Sequence, residues 1–346
     1  MSEFPILSAL ESTDAAGLAE FHRIAAEALA FDGYAPVNEQ GLFDLHSGLR
    51  TAYLVTVPGR AVSAGSTSGE GDGSEAGEAS AVAAAGDDGS ERIVVGAALA
   101  GRGEIDLVIA PESRRRGLGR AAAIELVATV PNGLTMWSHG DHPGARALAI
   151  ELRFVAARTL LELRMPLLEA EAPAAPETAP AAASGSAAAR TAGSAASTLL
   201  EGGSIDAFRP GIDDAEWIAL NALVFATHPE QGAITSADLT ARQAESWFSS
   251  DDFLILRDAD GRMIGYNWLK VDGAIGEIYV VGVHPDSAGH GFGRALMQAG
   301  LQRLRAAGCS TAALYVEADS AGAVHLYRSL GFSDHTVDVQ YRRLAD

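Results

Sequence analysis

The chain is poor in cysteine, in positive charge and in long apolar runs, and each shortage excludes something. Its 346 residues include one cysteine, Cys309, so no disulfide can form within the chain, and a reducing compartment is expected. With 45 acidic residues against 25 Lys and Arg, the formal net charge is −20. Affinity for phosphate backbones comes largely from clustered Lys and Arg, so nucleic acid and anionic membranes are not expected partners. No segment reaches the roughly 18 apolar residues of a membrane span. The first residues, which include Glu3 and Glu11, lack the basic start of a secretory leader. The nine histidines show no metal-ligand spacing and Cys309 has no adjacent histidine, so the thiol reads as core or surface and no metal is expected. These absences predict a soluble, cytoplasmic monomer that handles small molecules.

What is present is a repeat. Arg114-Arg115-Arg116-Gly117-Leu118-Gly119-Arg120 and Ala288-Gly289-His290-Gly291-Phe292-Gly293-Arg294 each follow an apolar strand ending in Pro, and each opens an Ala/Leu-rich helix. Such a strand–turn–helix presents backbone N–H groups and the positive end of a helix dipole to an anion, and its glycines let a phosphate come close to the backbone. The arginines Arg114, Arg115, Arg116 and Arg120 suit phosphate as forked donors; the alternative is a solvated charge run. Further along, 144–154 aligns without gaps on 322–332, pairing Trp137 with Tyr315 and Ala149 with Tyr327. Upstream, 103–111 matches 276–285 with one extra residue in the second copy, which predicts a β-bulge.

Length alone suggests about two domains, in agreement with the repeat. Two stretches, 59–90 (Gly, Ser, Ala and acids) and 169–204 (Ala, Pro, Ser and Gly), are unable to build a core and are expected to be mobile. The first reads as an extended hairpin tip inside a domain over 1–168, the second as a linker to a domain over 205–346. In the second half the pattern predicts a strand near 206–209, a helix capped by Asp213 or Asp214, a helical segment near 236–248, and a hairpin of 253–257 and 263–271 around Asp260-Gly261. A strand over 277–283, a helix over 291–306, a strand over 312–317, a helix over 320–330 and a strand over 337–342 follow. The fold class is mixed α/β with a central sheet in each half.

The Arg/Gln-x-x-Gly-x-Gly/Ala turn after a strand ending Val-x-Pro, followed by a strand, a short helix and Leu330-Gly331-Phe332, resembles the GNAT N-acetyltransferases. That resemblance implies two tandem GNAT domains, each a largely antiparallel mixed sheet flanked by helices, with acetyl-CoA pyrophosphate on the turn and no need of a metal. The finer resemblance, on Ala35-Pro36-Val37-Asn38-Glu39-Gln40, His228-Pro229-Glu230-Gln231-Gly232, Gly276-Glu277-Ile278-Tyr279-Val280-Val281-Gly282-Val283 and Leu314-Tyr315-Val316-Glu317-Ala318-Asp319, is to the two-domain, mycothiol-forming branch of that family. Its members acetylate the cysteinyl amine of a cysteinyl-glucosaminyl-inositol. By that resemblance the cofactor residues of the second half are Val281, Gly282, Val283, Ala288, Gly289, His290, Gly291, Phe292, Gly293, Arg294, Ser320, Ala321, Gly322, Ala323, Val324 and His325. Those of the first half are Leu107, Val108, Ile109, Arg114 to Arg116, Gly117, Leu118, Gly119 and Arg120. Two departures stand out: Ala288 where Arg or Gln is usual, and Ser320 where Asn is usual.

Acetyl transfer from a thioester needs a free amine, a polarised carbonyl and a proton for the departing thiolate. An α-amino group has a pKa of about 7.7 to 8.0, so a carboxylate acting through water suffices as base. Glu277, an acid in an otherwise apolar strand beside the turn, is the candidate; the alternative is a strand-end charge facing solvent. The resemblance implies that Tyr327 is the general acid, absent from the first half; otherwise it is a core aromatic. A bulge in the Glu277 strand would free a backbone N–H near Val281 to Val283 for the thioester oxygen. Glu39, Glu230, Lys270, Glu277 and Tyr315 match the family's substrate positions, with Glu39 from the first half contributing to the same cleft. Catalysis is therefore expected in the second domain, by direct transfer in a ternary complex. Two alternatives stay open: a tandem GNAT enzyme for another amine (aminoglycoside, polyamine or protein N-terminus), and a non-catalytic acyl-CoA sensor.

Overall fold

The structure, a computed structural model, describes residues 5–59, 83–85, 91–129, 134–167, 203–226 and 231–344. The chain packs as two compact units, residues 1–160 with 336–346, and residues 161–335. Both divisions fall inside strands, β7 (Phe154–Pro166) and β13 (Ser333–Arg343).

The first unit runs β1 (Ile6–Ala9), α1 (Ala15–Asp32), α2 (Glu39–His46), β2 (Thr51–Pro58), β3 (Ala83–Ala85), β4 (Glu91–Gly101), β5 (Glu104–Ile109), α3 (Leu118–Thr129), β6 (Thr135–Ser138) and α4 (Pro143–Glu151). Its sheet order is β1-β2-β4-β5-β6-β13, with β3 paired to β4. Asp14 begins α1 by accepting the Gly17 N–H at 2.9 Å, and Gly33, at φ 83°, ends it in the left-handed conformation that glycine adopts without a Cβ penalty. Phe21, Ile24 and Ala28 of α1 pack on Leu54, Val94, Ala97 and Val108 from one side of the sheet. From the other side Leu126 and Val127 of α3 and Ala149 of α4 pack on Ala98, Ile105 and Tyr341. Residues 59–90 are not all loop: Ala83–Ala85 forms a short antiparallel ladder with Glu91 to Ile93. Residues 60–82, 86–90 and 168–202, the last covering most of the expected linker 169–204, lie outside the described residues.

The second unit contains β8 (Ser204–Ala207), α5 (Asp214–Val224), α6 (Ser236–Gln243), β9 (Phe253–Arg257), β10 (Met263–Asp272), β11 (Ile275–Val283), α7 (Phe292–Ala306), β12 (Thr311–Glu317) and α8 (Ala321–Ser329). Its order is β7-β12-β11-β10-β9-β8. Thr235 and Asp238 exchange hydrogen bonds as a capping box at α6, which satisfies two orphan N–H groups at once. Asp213 precedes α5 but does not cap it; its carboxylate takes Arg209 at 2.7 Å and Arg257 at 2.8 Å. Under α5 and α6 lies an aromatic cluster in which Phe253 stacks between Phe208 and Trp268, with ring centroids 4.2 and 4.4 Å apart, and Trp217 meets Phe253 edge-on at 5.5 Å. Offset and edge-to-face pairs of this kind contribute beyond the area they bury. On the other face Met297, Leu301 and Leu304 of α7 and Val324 and Tyr327 of α8 pack on Ile278 and Leu314.

The extra residue in the second copy is a bulge. Trp268 pairs with Val280 and Leu269 with Ile278, so Tyr279 has no partner of its own on β10, whereas β4 and β5 pair without a shift from Gly96–Ile109 to Gly101–Glu104. The bulge lies two residues before Val281, which is back in register opposite Asn267.

Candidate functional site

In the second unit the site begins where two parallel strands part. β11 and β12 pair from Ile275–Thr311 to Ile278–Leu314 and no further, and the Tyr279 bulge follows at once. Beyond β11 the chain turns through Pro285 to Ser287 into Ala288-Gly289-His290-Gly291, with Gly289 at φ 81° and Gly291 at φ 84°. Both values lie in the region that glycine adopts without the penalty of a Cβ. Gly291 caps α7 with no side-chain acceptor, which leaves the first N–H groups of α7 to an external anion. Phe292, Gly293 and Arg294 form the first turn of α7, where the Arg294 guanidinium donates to Ser329 Oγ at 2.6 Å. Ser320 caps α8 without a side-chain hydrogen bond, and Ala321, Gly322, Ala323, Val324 and His325 form its opening turns. Gly282 is required by packing, because a Cβ there would meet the Tyr266 ring and hydroxyl at 2.9 Å.

Alternation along the strands separates the remaining residues by face. Ile278, Leu314 and Leu269 face α7 and α8, so Glu277, Lys270 and Tyr315 belong to the opposite face. Lys270 is the direct cross-strand partner of Glu277, and its ammonium lies 5.4 Å from the centre of the Trp247 ring. Tyr279, turned out by the bulge, packs on Trp247 with centroids 5.2 Å apart and accepts a hydrogen bond from Arg242, whose guanidinium also covers its ring. Tyr315 is 48% exposed. Tyr327 faces the other way, buried against Phe332. Burial pushes its phenol up to about 12, so the hydroxyl keeps its proton at any ordinary pH. Trp247, Arg242 and Tyr279 escaped the sequence reading because nothing in their spacing marks them; the strand bulge, which was legible, is what turns Tyr279 to this face.

Glu39 lies in the first turn of α2 and is exposed. Glu230 lies outside the described residues. Gln231 O accepts from Asn221 Nδ2 at 2.6 Å, while Asn221 Oδ1 accepts from Tyr266 at 2.8 Å. A Cβ on Gly232 would lie 2.3 Å from the Phe225 carbonyl oxygen, so Gln231 and Gly232 pack closely on the end of α5.

The first unit carries a cavity of about 740 Å³ at its own glycine turn. Of the residues assigned there to the cofactor, Leu107, Val108, Ile109, Arg114, Arg115, Gly117, Leu118, Gly119 and Arg120 line it, and Arg116 does not. The turn copies the backbone of the second one: Arg115 at φ 60° stands where Gly289 is, and Gly117 at φ 79° where Gly291 is. The arginines are largely engaged within the protein. Arg114 donates twice to Asp32 at 2.7 Å and once to the Ile109 carbonyl at 2.9 Å, and Arg120 pairs with Glu151 at 2.5 Å. Glu104, aligned with Glu277, is held by Arg50 at 3.2 Å; that guanidinium is 1% exposed and also takes Asp106 at 2.7 Å. Ala149, at the position of Tyr327, lines the cavity with no proton to offer.

Comparison with known proteins follows this geometry. Residues 217–332 match the acetyltransferase (GNAT) family. A mycothiol acetyltransferase of Clavibacter michiganensis is 44% identical over 261 residues, covering 74% of this chain and 78% of its own, and one of Geodermatophilus obscurus is 36% identical over 99% of both chains. Among solved structures, a tandem GNAT protein from the clavulanic acid biosynthesis pathway superposes with a TM-score of 0.60 at 18% identity, covering 99% of this chain and 100% of that one, a likeness of fold. The expected fold class of mixed α/β with tandem GNAT architecture holds, no described helix is long and apolar enough to cross a membrane, and the chain belongs to the mycothiol acetyltransferase group of the GNAT family, the acetyl-CoA-dependent acetyltransferases.

Proposed function

We propose that this protein transfers the acetyl group of acetyl-CoA to the cysteinyl amine of the cysteinyl-glucosaminyl-inositol, giving mycothiol and CoA, and that the reaction takes place in the second unit. The observation that carries this reading is the contrast at aligned positions. Tyr327 supplies a buried, protonated phenol where the first unit has Ala149, and Glu277 faces Lys270 on a bulged strand where Glu104 is tied down by Arg50. The names of the relatives support the substrate.

The pyrophosphate rests on the N–H groups of Gly289 to Gly293 and the N-terminus of α7. The pantetheine arm enters where β11 and β12 part, and a backbone N–H after the bulge polarises the thioester carbonyl. Glu277, through a water, takes a proton from the cysteinyl ammonium. The amine attacks the carbonyl carbon, the carbon–sulfur bond breaks as Tyr327 gives its proton to the leaving thiolate, and the second proton shed by the nitrogen as it becomes an amide restores the phenol. Lys270, Trp247 and Tyr315 line the acceptor's path. Transfer is direct, without an acyl-enzyme, in keeping with a Cys309 buried in the core cluster with Leu304 and Ala312.

The test is thiol release from acetyl-CoA with the cysteinyl-glucosaminyl-inositol, with the glucosaminyl-inositol lacking cysteine, and with polyamines. Release with the cysteinyl compound alone supports the proposal. Release with a different amine replaces the substrate, and tight acetyl-CoA binding without release from any amine favours a sensor.

A further inference from the structure

The first unit lacks the phenol of the second and its Glu104 is held by a buried arginine, yet its cavity contains a histidine–carboxylate pair. His139, at the end of β6, lines the cavity. Its Nδ1 lies 2.9 Å from Asp338 Oδ2, and Asp338 Oδ1 accepts the Gly140 N–H at 2.9 Å, so the carboxylate is fixed by two contacts and fixes the ring in turn. Trp137 stacks on the imidazole with centroids 5.9 Å apart and planes 11° apart. The ring is 9% exposed and its Nε2 has no hydrogen-bond partner. Ser138 Oγ and Asp106 Oδ1, neighbours on β6 and β5, are likewise buried and unpartnered.

Buried polar atoms without partners are costly unless a ligand or water satisfies them. Two of them, His139 Nε2 and Ser138 Oγ, belong to residues that line the cavity with its phosphate-type turn, and they mark a place built to receive polar atoms from elsewhere. A carboxylate on one imidazole nitrogen with the other nitrogen unpartnered is the arrangement of a general base.

The nature of the acceptor follows from charge. Among the described residues the cavity lining holds one carboxylate, Asp32, and Arg114 takes both of its oxygens. It is not left to hold an ammonium group, and Arg115 adds a further positive charge to the lining. The acceptor is therefore neutral, and the smallest neutral nucleophile is water.

We infer that the first unit is a second reaction centre, an acyl-thioester hydrolase site in which His139 is the base and Asp338 positions it. This rests on the reading of the first glycine turn as an acetyl-CoA site. Water attacks the acetyl carbonyl carbon as His139 Nε2 takes one of its protons. The carbon–sulfur bond breaks, and the imidazolium returns the proton to the thiolate, leaving acetic acid, which ionises, and free thiol.

The experiment uses the full chain carrying Tyr327→Phe, so that transfer in the second unit is suppressed, and supplies acetyl-CoA with no amine. Two quantities are read: acetyl-CoA bound per chain by calorimetry, and thiol released. The expected result is two acetyl-CoA per chain and a thiol release above the buffer rate that falls at least tenfold when His139→Gln is added. Asp338→Asn, which keeps the imidazole and alters only its partner, is expected to lower the same rate, so the inference stays testable where His139→Gln disturbs folding. Two acetyl-CoA bound with release at the buffer rate, or release indifferent to both substitutions, overturns the hydrolase inference alone. One acetyl-CoA bound overturns the cofactor assignment of the first unit and the inference with it.

Discussion

Glu277 stands directly across from Lys270 on the paired strands β11 and β10, one register step before the Tyr279 bulge. Lys270 is the sole lysine of the chain, and Trp247 holds its ammonium over the ring. The candidate base is thus paired across the strands with the residue whose ammonium Trp247 positions. Glu277→Gln is expected to lower kcat/KM for the cysteinyl substrate about 100-fold or more, whereas Lys270→Met raises KM with a smaller change in kcat. Equal kcat/KM in Glu277→Gln and the parent protein would remove the base role.

Tyr327 supplies the second kinetic test. With the phenol pushed up to about 12 by burial, the hydroxyl is protonated across the working range, so its ionisation does not shape the alkaline limb of a pH–rate profile below about pH 10. Tyr327→Phe is expected to reduce kcat about 100-fold with little change in acetyl-CoA affinity. Steady-state kinetics beside a binding isotherm separates the two quantities.

The turn before α7 depends on backbone conformation more than on side chains. Gly291→Ala places a Cβ at φ 84°, a cost of about 1–2 kcal/mol, and disturbs the N–H groups that receive the pyrophosphate. The expected outcome is a lower melting temperature together with a weaker acetyl-CoA Kd. A variant with unaltered affinity would mean that the turn is not the phosphate cradle.

The Asp338–His139 pair makes stability depend on pH. Burial lowers the histidine's proton affinity, but hydrogen bonding and charge from Asp338, aided by Asp106 and Glu104, more than offset this and raise its pKa. A histidine raised in the folded state adds stability that is fully present below about pH 6.5, the unfolded value. That stability is lost as pH rises through the folded value. Asp338→Asn is therefore expected to lower the melting temperature more at pH 6 than at pH 8.5. An equal loss at both would show that the pair is neutral throughout.

Arg50 tests why the first unit differs from the second. Its guanidinium, 1% exposed, holds Asp106 and Glu104. Removing one partner of a buried pair strands the other charge, so Arg50→Met is expected to cost about 3–5 kcal/mol by denaturant unfolding. Adding Asp106→Leu should recover most of that, because the fully buried carboxylate is then gone and Glu104, 23% exposed, reaches water. A double variant no more stable than Arg50→Met would contradict the pairing.

Local signals made much of this protein legible before any coordinates. The glycine turns, their positive-φ positions and the helices they open depend on a handful of adjacent residues. The hairpin around Asp260-Gly261 follows from turn chemistry, and the additional residue in β11 came from comparing the two copies and appears as the Tyr279 bulge. These features are written within a few residues of one another, where backbone sterics and hydrogen bonding decide.

What the tertiary structure alone decided involves residues far apart in sequence. His139 meets Asp338 across 199 positions, and Arg50 closes on Asp106 across 56. Trp247 and Arg242 reach Lys270 and Tyr279 from the segment around α6. The packing boundaries at 160/161 and 335/336 fall inside continuous strands, where composition does not change. Aligned motifs reveal that the two halves share a backbone plan. Which half buries a phenol against its core, and which pairs a histidine with a distant aspartate, depends on side chains meeting through the fold, a matter of three-dimensional packing and burial that no local pattern records.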